Sequence, residues 1–168
     1  MLQYIQSKKS PKRGAKMKNT SLCYIEKDGA YLMIHRIKKK NDENHDKWIG
    51  VGGKFEYGES PFDCARREIF EECGVRVLDL NYRGIVTFVS EEYGTEYMHL
   101  FTAKDYEGEI DYNCNEGVLE WVKKENIPAL PIWEGDKIFF KLLDTETRFF
   151  SLKLEYKKDR LINSLLEF

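Results

Sequence analysis

The chain has 168 residues, of which 42% are hydrophobic and 33% are charged, and its formal net charge is -2. This composition is typical of a single globular domain and excludes a disordered polymer. The near-neutral charge offers no basic field for a nucleic acid polymer, and no apolar run approaches the roughly 20 residues that span a bilayer. The four cysteines lie far apart without a C-x-x-C pair, which indicates reduced thiols of a cytoplasmic protein rather than a zinc site.

The N-terminal segment, residues 1–16, is polar and partly basic, and Met17 stands just before the first strand-like run. No apolar stretch follows the basic residues, so the segment is not a secretory signal. We therefore predict a flexible N-terminal extension over residues 1–16 and one folded domain over residues 17–168. A translation start at Met17 is the alternative.

Three β-prone runs come first along the chain. Residues 20–25 and 30–36 are separated by Asp28-Gly29, a pair typical of a tight hairpin turn. Residues 38–47 are charged and predict a solvated loop. Residues 48–55 predict a strand interrupted by Gly50, Gly52 and Gly53, where we expect the backbone to bend or to approach a ligand closely.

The next element is the best-defined helix of the chain. Ser60 suits the N-cap, Pro61 the first helical position, and Asp63 the reciprocal position of a capping box. Gly74 provides the stop. One apolar stripe at helical spacing comprises Phe62, Ala65, Ile69 and Cys73.

The remaining elements follow without a regular βαβ rhythm. We predict strands over residues 75–89 and 96–103, an acidic loop through residues 111–115, and a strand over residues 118–122. Residues 133–143 have a helical pattern, and residues 149–156 and 161–168 predict a final hairpin. Interleaved strands with two helices favour an α+β fold or a mixed sheet between helices.

Three glutamates on the predicted helix carry the chemical signal. Glu68, Glu71 and Glu72 lie three and four residues apart, and their mutual repulsion costs roughly 0.2–0.5 kcal/mol per pair on an exposed helix. Clustered carboxylates suit a hard cation such as Mg²⁺ that also contacts substrate phosphates. An ordinary acidic helix face is the alternative that the glutamates alone leave open.

The wider spacing decides between these alternatives. Gly53 is followed after five residues by Glu59, and after seven more by Arg67-Glu68-Ile69-Phe70-Glu71-Glu72-Cys73-Gly74-Val75. This pattern resembles the Nudix box, G-x5-E-x7-R-E-U-x-E-E-x-G-U, at every specified position. The resemblance implies a Nudix hydrolase with a mixed β-sheet held between helices, an α/β/α sandwich.

The resemblance also implies roles for particular residues. Glu68 and Glu72 would bind Mg²⁺, with Mn²⁺ as a substitute, and Glu71 would be a ligand or orient the attacking water. The Gly52 carbonyl would add a ligand, and Arg67 would form an orienting ion pair with Glu59. The identity of the general base stays open. Glu116 stands where some members carry a further metal ligand or base.

Similarity to the MutT-like 8-oxo-dGTP diphosphatases extends over the rest of the chain. In those enzymes a tryptophan at the place of Trp133 stacks on the purine, and an acid at the place of Asp136 reads its edge. A core role for Trp133 is the alternative. Two departures are Gly135, where the human-type enzyme has an acid, and Ile49, where it has asparagine.

Two cations complete the predicted substrate-binding residues, namely Arg36 and Lys54. Tyr93 lies 18 residues past Val75, a spacing associated with diadenosine-polyphosphate hydrolases of this family. The leading prediction is cleavage of a nucleoside triphosphate, such as 8-oxo-dGTP, to monophosphate and pyrophosphate. The alternatives are Ap4A or ADP-ribose hydrolysis and a non-catalytic nucleotide sensor, and the predicted assembly is a monomer or homodimer.

Overall fold

The computed structural model describes residues 17–168, so the prediction for residues 1–16 lies outside the described residues. The strands are β1 (Met17–Lys27), β2 (Ala30–His35), β3 (Trp48–Ile49), β4 (Arg76–Val77), β5 (Asn81–Ser90), β6 (Gly94–Ala103), β7 (Tyr106–Glu107), β8 (Val118–Lys123), β9 (Phe150–Lys157) and β10 (Arg160–Glu167). The helices are α1 (Pro61–Cys73) and α2 (Asp136–Thr145), and a short 3₁₀ helix covers Lys124–Ala129.

Eight of these strands form one mixed sheet in the order β10-β9-β5-β6-β1-β2-β3, with β8 also paired to β2. The β1–β6 and β5–β9 pairs are parallel, and the other pairs in this sheet are antiparallel. Strands β4 and β7 form a separate antiparallel pair. The mixed sheet that we predicted is therefore confirmed.

The sheet is covered on both faces, and successive side chains of a strand point to opposite sides. On one face, Cys23 and Ile25 of β1 belong to the core cluster that contains Ile69 of α1. On the other face, Tyr24 of β1 packs with Phe139 and Phe140 of α2, at ring-centroid distances of 6.0 and 4.9 Å. This arrangement confirms the α/β/α sandwich.

The predicted local signals of the first hairpin and of helix α1 are confirmed. Asp28 and Gly29 both have positive φ, 51° and 73°, as a tight β-turn requires. Ser60 Oγ accepts from the Asp63 amide while the Asp63 carboxylate accepts from the Ser60 amide. Gly74 then ends the helix in the left-handed conformation at φ 72°.

The predicted strand over residues 48–55 is wrong beyond Ile49. Residues 50–55 instead run irregularly along β1, with the Ser21 amide donating to the Gly53 carbonyl at 2.9 Å and the Cys23 amide to the Val51 carbonyl at 2.7 Å. The close backbone approach that the glycines predicted is present, since a Cβ on Gly52 would lie 1.9 Å from the Ser21 carbonyl oxygen.

Other predicted elements also differ in their bounds, and two of these differences have a clear cause. The run 75–89 divides into β4 and β5, because the Asp79 carboxylate accepts from the amides of Lys104 and Asp105 and interrupts the ladder. Helix α2 begins at Asp136 rather than at Trp133. Trp133 lies in the preceding turn, where its carbonyl accepts from the Asp136 amide at 3.0 Å.

Candidate active site

Helix α1 and the glycine-rich segment before it meet at Glu72. Only 8% of Glu72 is exposed, and its Oε2 accepts a hydrogen bond from the Gly52 amide at 2.9 Å. The capping box at Ser60 sets where the helix starts and hence its rotation relative to this segment. The structure therefore brings together Gly52 and Glu72, two of the predicted site residues.

Arg67 holds three of the glutamates in place. Its Nε and Nη2 bind the two carboxylate oxygens of Glu59 at 2.6 and 3.0 Å. Its Nη1 donates to Glu68 at 2.8 Å and to Glu71 at 3.2 Å. The hydrogen bonds from Arg67 lower the pKa of Glu59 to about 2. Arg67 therefore has the geometry of a positioning residue, which spreads one cation over an acidic cluster.

Gly53 provides the space for the Glu68 carboxylate. A Cβ on Gly53 would lie 2.5 Å from Glu68 Oε1 and 2.7 Å from Oε2. Any side chain at position 53 would therefore displace the carboxylate. This contact gives the glycine a physical role that its place in the sequence pattern did not reveal.

The buried end of the cluster carries acidic charge with little compensation. Burial raises the pKa of Glu72 to about 8, and repulsion from Glu68 and Glu116 adds to the effect. Burial also raises the pKa of Glu68. A carboxylate that is buried next to like charges is stabilised by a cation placed among them.

The donor set fits a hard divalent cation. Carboxylate oxygens and a backbone carbonyl are the ligands that Mg²⁺ prefers. Among residues 17–168, no three acidic, histidine or cysteine side chains already converge as metal ligands do. Arg67 engages Glu68 and Glu71 in this structure, while Glu72 accepts a hydrogen bond from the Gly52 amide. Glu68, Glu71, Glu72 and the Gly52 carbonyl are the groups that would hold such an ion.

Glu116 faces the cluster from the segment before β8 and is held by two cations. Arg36 Nη2 lies 2.8 Å from Glu116 Oε2, and Lys39 pairs with the other oxygen. Arg36 also binds Asp42 at 2.5 Å. The structure therefore joins Arg36 and Glu116, which sequence reasoning had assigned separately to substrate and metal.

A cavity of about 720 Å³ connects this acidic cluster to an aromatic region. Most of the predicted site residues line it, namely Arg36, Gly52, Gly53, Lys54, Arg67, Glu68, Glu71, Glu72, Glu116, Trp133 and Asp136. Glu59 and Gly74 do not. Glu59 acts through Arg67, and Gly74 ends the helix.

Trp133 contributes to both the core and the cavity. It is 7% exposed, and the rings of Phe88 and Tyr156 contact it edge-on at centroid distances of 5.5 and 5.3 Å. Its Nε1 donates to Asn44 Oδ1 at 2.8 Å, and the Lys47 ammonium lies 4.5 Å from the ring centroid. A core role for Trp133 and a substrate-binding role in the cavity are thus compatible with each other.

Asp136 is a buried carboxyl at the start of α2, 6% exposed. Burial raises its pKa to about 8, although the Trp133 backbone hydrogen bond and Lys47 oppose the shift. The group is therefore largely protonated at neutral pH and has an O–H to donate. A side chain of this kind is equipped to hydrogen-bond a polar ligand edge inside an aromatic pocket.

Sequence reasoning missed several residues that line the cavity. They are Lys18, Asn44, Phe88, Glu96 and Met98. Each lies on a strand or loop far in sequence from the glutamate helix, and only the sheet order brings them together. The alternation of β5 and β6 was a usable signal for Phe88, Glu96 and Met98, but it does not show which face a cavity occupies.

Three comparisons with known proteins show which proteins this chain is similar to. The family model described as the NUDIX domain matches residues 16–143. An oxidized purine nucleoside triphosphate hydrolase of Danio rerio is 38% identical over 115 residues, which cover 66% of this chain and 71% of that protein. The mouse protein of the same name is 32% identical over 114 residues, again 66% and 71% of the two chains.

Solved structures give the same result for the fold. The crystal structure of a MutT protein from Bacillus halodurans has a TM-score of 0.78 and is 29% identical, covering 89% of this chain and 97% of that one. A MutT protein from Methanosarcina mazei superposes with a TM-score of 0.69 at 22% identity, covering 80% and 98%. In residues 17–168, no helix is long and apolar enough to cross a membrane.

Proposed function

Since this chain belongs to the Nudix family of hydrolases, we propose that it cleaves nucleoside triphosphates to nucleoside monophosphates and pyrophosphate. The proposed role is sanitation of the nucleotide pool, with an oxidised purine such as 8-oxo-dGTP as the candidate substrate. One observation carries the proposal: a single cavity is lined both by the glutamates of α1 and by Trp133 with Asp136. A nucleotide has phosphates at one end and a planar base at the other.

The phosphate end of the proposal depends on a divalent ion, Mg²⁺ or Mn²⁺. Glu68, Glu71, Glu72 and the Gly52 carbonyl would hold it, with Glu116 as a further ligand. Such an ion neutralises phosphate charge and lowers the pKa of a bound water. Arg67 keeps Glu68 and Glu71 in position through its hydrogen bonds at 2.8 and 3.2 Å.

The proton of the attacking water needs an acceptor near the glutamate cluster. Glu71, Glu72 and Glu116 are the candidate general bases, and all three line the cavity. Glu71 has the most accessible side chain, 56% exposed, whereas that of Glu116 is 25% exposed and paired with Arg36. Lys54 and Arg36 are the proposed phosphate contacts. For Arg36 this requires exchange of its partner Asp42 or Glu116 for substrate.

The base end of the proposal rests on Trp133 and Asp136. Stacking of a base on an aromatic side chain is worth roughly 1–3 kcal/mol. Gly135 departs from the acid of the human-type enzymes, and the structure explains the departure. A Cβ there would lie 2.5 Å from Leu154 Cδ1 and 2.8 Å from the Tyr156 hydroxyl. Recognition of the base edge therefore falls to Asp136 and to groups from other elements.

Turnover of a nucleotide panel tests the proposal. Purified protein is incubated with Mg²⁺ and each of the four dNTPs, 8-oxo-dGTP, ADP-ribose and Ap4A, and the products are identified. We expect monophosphate and pyrophosphate from a purine triphosphate, and loss of activity with chelator. Glu68→Gln and Glu72→Gln should each lower kcat by about 10³-fold or more, whereas the exposed Glu107→Gln should not. Full activity in both cluster variants would contradict the proposal.

A second candidate, hydrolysis of diadenosine polyphosphates, is supported by the position of Tyr93. Its ring lies 6.4 Å from that of Trp133 and lines the same cavity. Two aromatic side chains at one end provide a surface for a further base. Cleavage of Ap4A in preference to every triphosphate of the panel would favour this candidate, and nucleotide binding without any turnover would favour a sensor. For each candidate we propose a cytoplasmic monomer or homodimer that does not bind nucleic acid polymers.

A further inference from the structure

Strand β6 places the carboxyl group of Glu96 in the aromatic part of the cavity. Glu96 is directly opposite Phe88 of β5 and Lys18 of β1, and directly opposed residues project to the same face of a sheet. The Phe88 ring lies 5.5 Å from that of Trp133. Phe88 thus neighbours Glu96 in the sheet and Trp133 through its ring, and all three residues line the cavity.

One oxygen of the Glu96 carboxyl is fixed by the protein. The hydroxyl of Thr20, a residue only 7% exposed, donates to Glu96 Oε1 at 2.7 Å. The neighbouring cation, Lys18, is engaged elsewhere, with its ammonium 3.0 Å from both oxygens of Glu43. Within the described part of the chain, no salt bridge reaches Glu96. The second oxygen, Oε2, is therefore available to a ligand.

The surroundings of Glu96 make its carboxyl group unfavourable for the stability of the folded state. It is half-buried, and Phe88 and Met98 line the cavity beside it. Burial raises its pKa, and Glu43 raises it further, against the Thr20 hydrogen bond and the charges of Lys18 and Lys54. A partly desolvated carboxyl with one hydrogen bond is less favourable than an apolar side chain that fills the same space. Such a residue in a cleft is typical of a functional group.

We propose that Glu96 is a specificity-determining residue that hydrogen-bonds the base edge of the bound nucleotide through Oε2. The inference rests on the proposed function insofar as it takes this cavity as the nucleotide site. Thr20 is the positioning residue that fixes the direction of the carboxyl. Asp136 belongs to the same cavity, so the sheet and the start of α2 each present one carboxyl group to the bound base.

The ligand class follows from the donors that a carboxyl group accepts. A guanine-type edge presents an imino and an adjacent amino group, which are both donors. Both donors can share the two lone pairs of Glu96 Oε2, whereas an adenine-type edge offers one amino donor beside a ring nitrogen whose lone pair is repelled by the carboxylate. We therefore expect the site to prefer guanine-type bases, and Glu96 to contribute to that preference.

Direct binding of nucleoside monophosphates tests this role without any catalytic step. Isothermal titration calorimetry measures Kd for dGMP, 8-oxo-dGMP, dAMP and dCMP with the wild-type chain, Glu96→Gln and Glu96→Met. The wild type should bind guanine-type bases at least about tenfold more tightly than dAMP, the ratio expected for one well-made polar contact. Glu96→Met should reduce the ratio to within about threefold. Glu96→Gln, which adds an amide donor, should shift the preference towards dAMP.

Two controls separate base recognition from general damage. Glu120→Gln changes an exposed glutamate on β8 outside the cavity and should leave all four Kd values unchanged. Thr20→Val removes the hydroxyl that orients Glu96 and should weaken the guanine preference while keeping its direction. Thermal unfolding of each variant checks that the folded state is intact. If Glu96→Met folds poorly, the nearly isosteric Glu96→Gln still tests the role of Glu96.

The outcomes distinguish this proposal from the proposed function. A wild type without base preference, or a ratio that is unchanged in both Glu96 variants, would overturn the role of Glu96, even if triphosphates are cleaved. Base-dependent binding that Glu96 controls, together with absence of turnover, would leave the role standing and refute the proposed hydrolysis.

Discussion

The contact between Gly53 and Glu68 gives a prediction whose size follows from the structure. In Gly53→Ala the new Cβ would lie 2.5 Å from Glu68 Oε1, so the carboxylate must retreat by about 0.9 Å to reach an ordinary contact of 3.4 Å. A displacement of about 1 Å in a catalytic constellation costs on the order of 100-fold in rate. We expect kcat/KM for the best triphosphate to fall by about that factor.

Stability should change little in the same variant. The atoms that the new methyl group meets belong to the end of a flexible side chain, so the free energy of unfolding should fall by less than about 1 kcal/mol. Neighbouring Gly52 provides the contrast, because its added Cβ would lie 1.9 Å from the Ser21 carbonyl oxygen. Since backbone cannot move aside, Gly52→Ala should lose about 4 kcal/mol or more, or fail to fold.

The assay pairs steady-state kinetics with urea unfolding for both variants and for Gly29→Ala. Gly29 has φ +73° and no atom within 4 Å of an added Cβ, so alanine there should cost about 1–2 kcal/mol of stability and no activity. The reasoning is refuted if Gly53→Ala keeps kcat/KM within about threefold of wild type, or loses activity only in proportion to lost stability.

The remaining predictions concern three other residues. Ser60→Ala removes the hydrogen bond that Ser60 Oγ accepts from the Asp63 amide and keeps the one from the Ser60 amide to the Asp63 carboxylate, so it should lower the free energy of unfolding by about 1 kcal/mol, measured in urea, with unchanged kcat/KM. Trp133→Leu should raise KM for the best triphosphate about 10- to 100-fold, because base stacking is lost. Trp133→Phe keeps an aromatic ring, so its KM should lie close to the wild-type value. Equal KM values in the two variants would contradict the stacking role. Asp136 has a folded-state pKa of about 8 against an ordinary value of 3.8. The contribution of its protonated carboxyl to the free energy of unfolding is therefore full below about pH 3.8 and is lost as the pH rises through about 8. Asp136→Asn should therefore gain Tm relative to wild type as the pH rises from about 4 to about 8, without further gain above that value, and a pH-independent difference would show that the carboxyl is not perturbed.

Local signals predicted those parts of the fold that depend on neighbouring residues. The hairpin at Asp28-Gly29 and the bounds of α1 are set by turn and cap preferences, which act over a few positions. The start of α2 was placed three residues early, because Trp133 continues the apolar spacing of the helix without being part of it. The division of residues 75–89 depends on Asp79 accepting from Lys104 and Asp105, a contact between distant segments that periodicity does not reveal.

For the site, the sequence by itself determined the glutamate cluster that we propose as the reacting end. Glu68, Glu71 and Glu72 lie on one helix, so their spacing along the chain sets their spacing in space. The base end was decided only by the tertiary structure. Glu96 and Asp136 come from a strand and from the start of a distant helix, and parallel pairing of β1 with β6 brings Thr20 to the Glu96 carboxyl. Sheet order depends on burial of both faces across the whole chain, so no local pattern specifies which side chains share the cavity.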